Sequence, residues 1–161
     1  MTSGSGAAGS PAGDGAAPIP AGFRPLTMGG EFIGINGPIY LHHAGDDVRV
    51  GFRVEKRHTN PMGICHGGMM ASFCDMLLPI SAHRKSAQAR GRFLPTINLQ
   101  IDYLAPAPLG AWVEGEAQVL RVTRSLVFAQ GLVKADGEPV ARVSGIFKLG
   151  VTFGAAPEVV G

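Results

Sequence analysis

Between Gly67 and His83 the chain is apolar at nearly every position, reading Gly-Gly-Met-Met-Ala-Ser-Phe-Cys-Asp-Met-Leu-Leu-Pro-Ile-Ser-Ala-His. A run of that length, bounded by breakers, predicts one helix buried on most sides, followed by the polar segment Arg84 to Arg92. Beyond it the period changes to two. Ile97, Leu99, Ile101 and Tyr103 fall on one face of a strand, and Thr96, Asn98, Gln100 and Asp102 on the other. Val113, Ala117 and Val119 then oppose Glu114, Glu116 and Gln118, and 125–134 and 140–150, joined at Asp136-Gly137, complete an antiparallel meander. Upstream, the Gly-broken run from Glu31 to Tyr40, the turn Ala44-Gly45-Asp46-Asp47 and the alternating stretch Val48 to Glu55 predict a hairpin. The order is α+β: a hairpin, one long helix, then strands. A lone apolar helix must be wrapped by the other layer, so the sheet is expected to curl around it. The open face or edge that remains predicts a dimer or larger assembly.

Composition narrows the classes. At 161 residues, 45% hydrophobic and 16% charged, the chain has the make-up of one globular domain with a sizeable core. A net charge of +2 without a basic, aromatic-laced stripe argues against nucleic acid, while leaving room for a small anionic ligand. No charge-free apolar run is long enough to span a membrane, and the N-terminus lacks the pattern of a secretory signal, so a cytoplasmic location is expected. Residues 1–22, almost all Gly, Ala, Ser and Pro, predict a disordered tail ahead of a domain over 23–152, with a short tail at 153–161. Cys65 and Cys74, too far apart along the helix to be bridged, read as reduced thiols.

Asp75 is the carboxylate inside the apolar helix, and burying it without partners costs several kcal/mol, so it must face something polar. Ser72 and Gly68 continue a small or polar seam from it. Gly67 and Gly68 open the helix, where backbone N–H groups lack intrahelical acceptors and the macrodipole favours negative charge. That pair is either an oxyanion hole or a place where another segment comes close. Gly67 and Asp75 are separated by roughly 12 Å of helix, too far to serve one carbonyl together. If both serve one reaction they come from different chains, on helices antiparallel across a twofold axis.

The constellation Asn60-x5-His66-Gly67-Gly68-x7-Asp75, followed by Pro95-Thr-Ile-Asn-Leu-Gln-Ile-Asp-Tyr-Leu-Ala-Pro-Ala107, resembles hotdog-fold acyl-CoA thioesterases of the phenylacetate-pathway, PaaI-like, type. The resemblance runs from about Phe32 to Leu149. It implies a curled sheet around a central helix, an obligate homodimer that pairs into a tetramer, and hydrolysis of an acyl-CoA substrate without a metal or cofactor. It makes Asp75 the general base or nucleophile, Gly67 the oxyanion donor, Asn60 the amide that orients carbonyl or water, and Thr96 a hydroxyl near the attacking water. His66 either takes a direct part or caps the helix.

Other residues carry weaker expectations. Arg84, Lys85, Arg90 and Arg92 either contact a coenzyme A phosphate or form a solvated loop. Met76, with Gly68 and Ser72, would border a pocket suited to a medium-chain or aryl acyl group. Pro79 departs from the family's small residues and predicts a kink one turn past Asp75. His42, His43, His58 and His66 lack metal-ligand spacing and are expected on solvent-exposed strands. The alternatives are an acyl-CoA binding protein without activity and a hotdog hydratase or dehydratase.

Overall fold

In the computed structural model, which describes residues 17–152, helix α2 (Gly67–Lys85) is the axis of the molecule. Phe73, Cys74, Leu77, Leu78 and Ala82 are fully enclosed, and Met69, Met70 and Ile80 nearly so. Burial all round is what a helix without a polar stripe requires. The helix continues through Pro79 to Lys85, so the missing Pro79 N–H removes one backbone bond without ending it. His83, Arg84 and Lys85 in the last turn complement the C-terminal dipole.

The described residues form a seven-stranded sheet in the order β1-β2-β3-β5-β6-β7-β4, with every pairing antiparallel. Its strands are β1 (Arg24–Pro25), β2 (Tyr40–Ala44), β3 (Asp47–Arg53), β4 (Thr96–Tyr103), β5 (Trp112–Val122), β6 (Leu126–Ala135) and β7 (Glu138–Lys148). Strands β3 to β7 all lie against α2, so the sheet wraps the helix as expected for a hotdog fold. The turn between β6 and β7 places Asp136 and Gly137 at φ of 47° and 91°, the left-handed pair that an Asp-Gly hairpin supplies.

Two local expectations are corrected. The stretch from Glu31 to Asn36 is not a strand but part of a short helix, α1 (Gly30–Asn36), and the hairpin is β2 with β3. His58 is not on an exposed strand: it is buried in the 3₁₀ turn Lys56–His58, where its ring nitrogens meet the Asn36 carbonyl at 2.8 Å and the Glu55 N–H at 3.0 Å. His42 does lie on β2, half-buried against Phe23 and 3.1 Å from Asp47. Of the expected tails, residues 1–16 and 153–161 lie outside the described residues. Within 17–22 the Pro18 carbonyl accepts from Arg53 Nη2 at 2.7 Å. Among the described residues no helix is long and apolar enough to cross a membrane.

Candidate active site

Helix α2 enters from a loop stapled to its surroundings. The Cys65 N–H donates to the Ala107 carbonyl at 2.7 Å and the His66 N–H to the His58 carbonyl at 2.8 Å. His66 is the N-cap, extended at φ −62° and ψ 137°, and its Nδ1 accepts from the Gly68 N–H at 2.9 Å. His66 thus stands at a helix start and not on the exposed strand expected of it, and its ring satisfies the Gly68 N–H. A Cβ at Gly68 would lie 3.1 Å from that ring nitrogen, so the glycine makes room for the cap. Gly67, at the first helical position, keeps an N–H with no intrahelical acceptor.

Asn60 organises the preceding turn, its Oδ1 accepting from the Met62 N–H at 2.9 Å and the Ile64 N–H at 3.4 Å. Asn60 and Gly67 border one hollow of about 470 Å³ together with Ile64, Met70 and Tyr103. Tyr103 carried no expectation beyond its place on the apolar face of β4. Its hydroxyl donates to the Gly67 carbonyl at 2.7 Å, a contact the strand periodicity could not reveal.

Asp75 belongs to a different opening. It borders a cleft of about 790 Å³ with Met76, Pro79, Ile80, Phe93, Leu94 and Thr96. The half-buried Asp75 side chain accepts from Thr96 Oγ1 at 2.5 Å. That contact depends on a β-bulge between Thr96 and Asn98. Strict alternation put Thr96 on the face opposite Leu99 and Tyr103; the extra residue turns it to the helix side. Ser72 sits on the expected seam, its hydroxyl donating back to the Gly68 carbonyl at 2.9 Å.

His83 also borders the cleft. It is buried, its Nδ1 accepts from the Gly91 N–H at 3.3 Å, and desolvation pushes its pKa below the usual histidine range. Nothing in the sequence distinguished it from the end of an apolar run. The four basic residues do not gather at either opening. Lys85 Nζ donates to the Ala117 carbonyl and Arg92 Nε to the Gly150 carbonyl, each at 2.9 Å, while Arg90 is exposed and Arg84 half-buried. Cys65 and Cys74 are free buried thiols, pushed by desolvation to about 11 and about 12. Among the described residues no three His, Cys, Asp or Glu side chains converge on a metal position.

Residues 62–141 match the family model of the thioesterase superfamily. Human acyl-coenzyme A thioesterase 13 is 30% identical over 122 residues, an alignment covering 74% of this chain and 85% of the human protein. The chain belongs to the thioesterase superfamily. Two solved structures agree: thioesterase superfamily member 2 of zebra fish, at 29% identity and a TM-score of 0.61, covers 70% of this chain, which spans 81% of it. A variant of the phenylacetic acid degradation protein PaaI of Thermus thermophilus, at 26% identity and a TM-score of 0.57, covers 73%, with 97% of its own chain matched. The expected hotdog fold, PaaI-like resemblance and thioesterase class are thereby borne out.

Proposed function

We propose that this superfamily member hydrolyses acyl-coenzyme A thioesters to a carboxylic acid and free coenzyme A, at a site built from two copies of the chain. The observation that carries the reading is the division of polar groups along α2. Asp75 and Thr96 border one opening, while Gly67 and Asn60 border another, roughly 12 Å away along the helix. A second α2, antiparallel across a twofold axis, brings the Gly67 end of one chain to the Asp75 end of the other. Strand β4 supports such pairing: it ends the sheet, and it exposes Ile97 and Tyr103 by 57% and 56%. A further pairing of dimers belongs to the same reading.

The chemistry follows from the groups. The Asp75 carboxylate either takes a proton from water as that water attacks the thioester carbon, or attacks the carbon itself. The Thr96 hydroxyl fixes the carboxylate's direction. The partner's Gly67 N–H, at the positive end of its helix, receives the oxyanion, and the Asn60 amide helps align the carbonyl. Collapse of the tetrahedral intermediate breaks the C–S bond, and the thiolate leaves as coenzyme A after taking up the proton. An anhydride formed by direct attack is then opened by water. Met76, Ile80 and Leu94 line the cleft beside Asp75 and suit a medium-chain or aryl acyl group.

The test is thiol release from a panel of short, medium, long and aryl acyl-CoAs, by the protein and by two variants. Asp75→Asn removes the charge and is expected to abolish most turnover in a folded protein. Gly67→Pro removes the other half of the chemistry. Proline is tolerated at the first helical position, and His66 is already in the extended conformation that proline imposes on its predecessor. Turnover is expected to fall by about 10²- to 10³-fold with the fold retained. Acyl-CoA binding without thiol release by the unsubstituted protein would replace this reading with a non-catalytic one.

A further inference from the structure

An oxyanion donor works by being held in place before charge develops, yet glycine is the residue whose backbone is least restrained. Gly67 offers no side chain by which to be held. Both peptide groups that flank its Cα are nevertheless pinned. The peptide carrying the Gly67 N–H is fixed at its other end, where the His66 carbonyl accepts from the Met70 N–H at 3.0 Å. The next peptide is fixed at both ends: its N–H, that of Gly68, donates to His66 Nδ1 at 2.9 Å, and its carbonyl, that of Gly67, accepts from the Tyr103 hydroxyl at 2.7 Å. Two of these clamps are local to α2, and the third comes from the sheet.

The Tyr103 ring stands over Gly67, since a Cβ built there would lie 3.5 Å from the hydroxyl oxygen and 3.6 Å from Cζ. Strand β4 thus meets α2 at both of its ends, Thr96 holding Asp75 and Tyr103 holding Gly67. We infer that Tyr103 is a positioning residue for the thioesterase site, aiming the Gly67 N–H by hydrogen-bonding the adjacent carbonyl and tying the oxyanion donor to the strand that orients the acid. The inference rests on the proposed function of Gly67. The phenol is a neutral donor at working pH, and desolvation pushes it further above its usual range.

The experiment is steady-state kinetics of Tyr103→Phe on the best acyl-CoA of the panel, with Asp75→Asn as control and urea unfolding of each variant. Phenylalanine keeps the ring and deletes the hydroxyl. The expected result is a roughly tenfold lower kcat, a fraction of what an oxyanion donor supplies, with KM within about twofold and an unchanged urea midpoint. Wild-type kcat in Tyr103→Phe, alongside an inactive Asp75→Asn, would overturn the inference and leave the thioesterase reading standing. A fall in kcat matched by a lower urea midpoint would also overturn it, making the bond a structural one. Absence of turnover in the unsubstituted protein overturns the reading and the inference together.

Discussion

His58 and His83 are imidazoles enclosed by backbone groups, and burial holds both below the usual histidine range, outweighing the raising effect of the Asn36 carbonyl on one and of the Arg92 backbone on the other. The unfolded chain protonates near pH 6.5 while the folded chain resists, so the unfolded state binds more protons below that value. The stability these residues contribute is therefore complete above about pH 6.5 and is lost as pH falls toward their depressed folded values. The urea midpoint is expected to drop between pH 7 and pH 5 at constant m, with both imidazoles titrating by NMR below the free-histidine value. Titration at the free value would refute this account. At the scale of single residues the sequence was most informative for Asp75, because a carboxylate in an apolar helix demands a polar partner. It was least informative where tertiary contacts decide. Thr96 reaches Asp75 through a bulge that no alternation pattern predicts, and His58 is enclosed by the Asn36 carbonyl, 22 residues away.

Among the elements, α2 and the meander were legible because each repeats one period over many residues. Helix α1 was not: seven residues and Gly34 give too few turns for a 3.6 period to separate from an extended run, and Ile33 is its buried anchor. The contact between α2 and β5 turns on Gly115. A Cβ there would lie 2.5 Å from Leu77 Cδ2 and 3.3 Å from its Cδ1, and Leu77 is fully buried. Gly115→Ala is expected to cost about 1–3 kcal/mol by overpacking, and Leu77→Ala about 2–5 kcal/mol by opening a cavity. Because each change removes the other's problem, the double variant should be more stable than the sum of the two costs implies, read as urea midpoints at constant m. Strict additivity would show that the helix and the strand do not meet through this pair.

For the whole molecule, the separation of Asp75 from Gly67 turns the proposed mechanism into a statement about assembly. In a site confined to one chain, a variant lacking either group is inactive in any mixture. In a site shared across a twofold axis, the two losses complement each other. Asp75→Asn and Gly67→Pro chains, each severely impaired alone, are unfolded together in urea, refolded and assayed on an acyl-CoA. Random assortment makes half the dimers hybrid; a hybrid has one site that combines intact Asp75 with intact Gly67 and one that lacks both. About a quarter of the wild-type turnover is therefore expected from the mixture, and only the small residual turnover of each variant from either parent treated in the same way. The value is diagnostic because refolding damage lowers parents and mixture alike, whereas only exchange of chains raises the mixture above both. If the mixture stays as inactive as its parents while chromatography of differently tagged chains demonstrates that hybrids formed, Gly67 and Asp75 do not serve one thioester across the interface. A group other than the partner's Gly67 N–H would then receive the oxyanion beside Asp75.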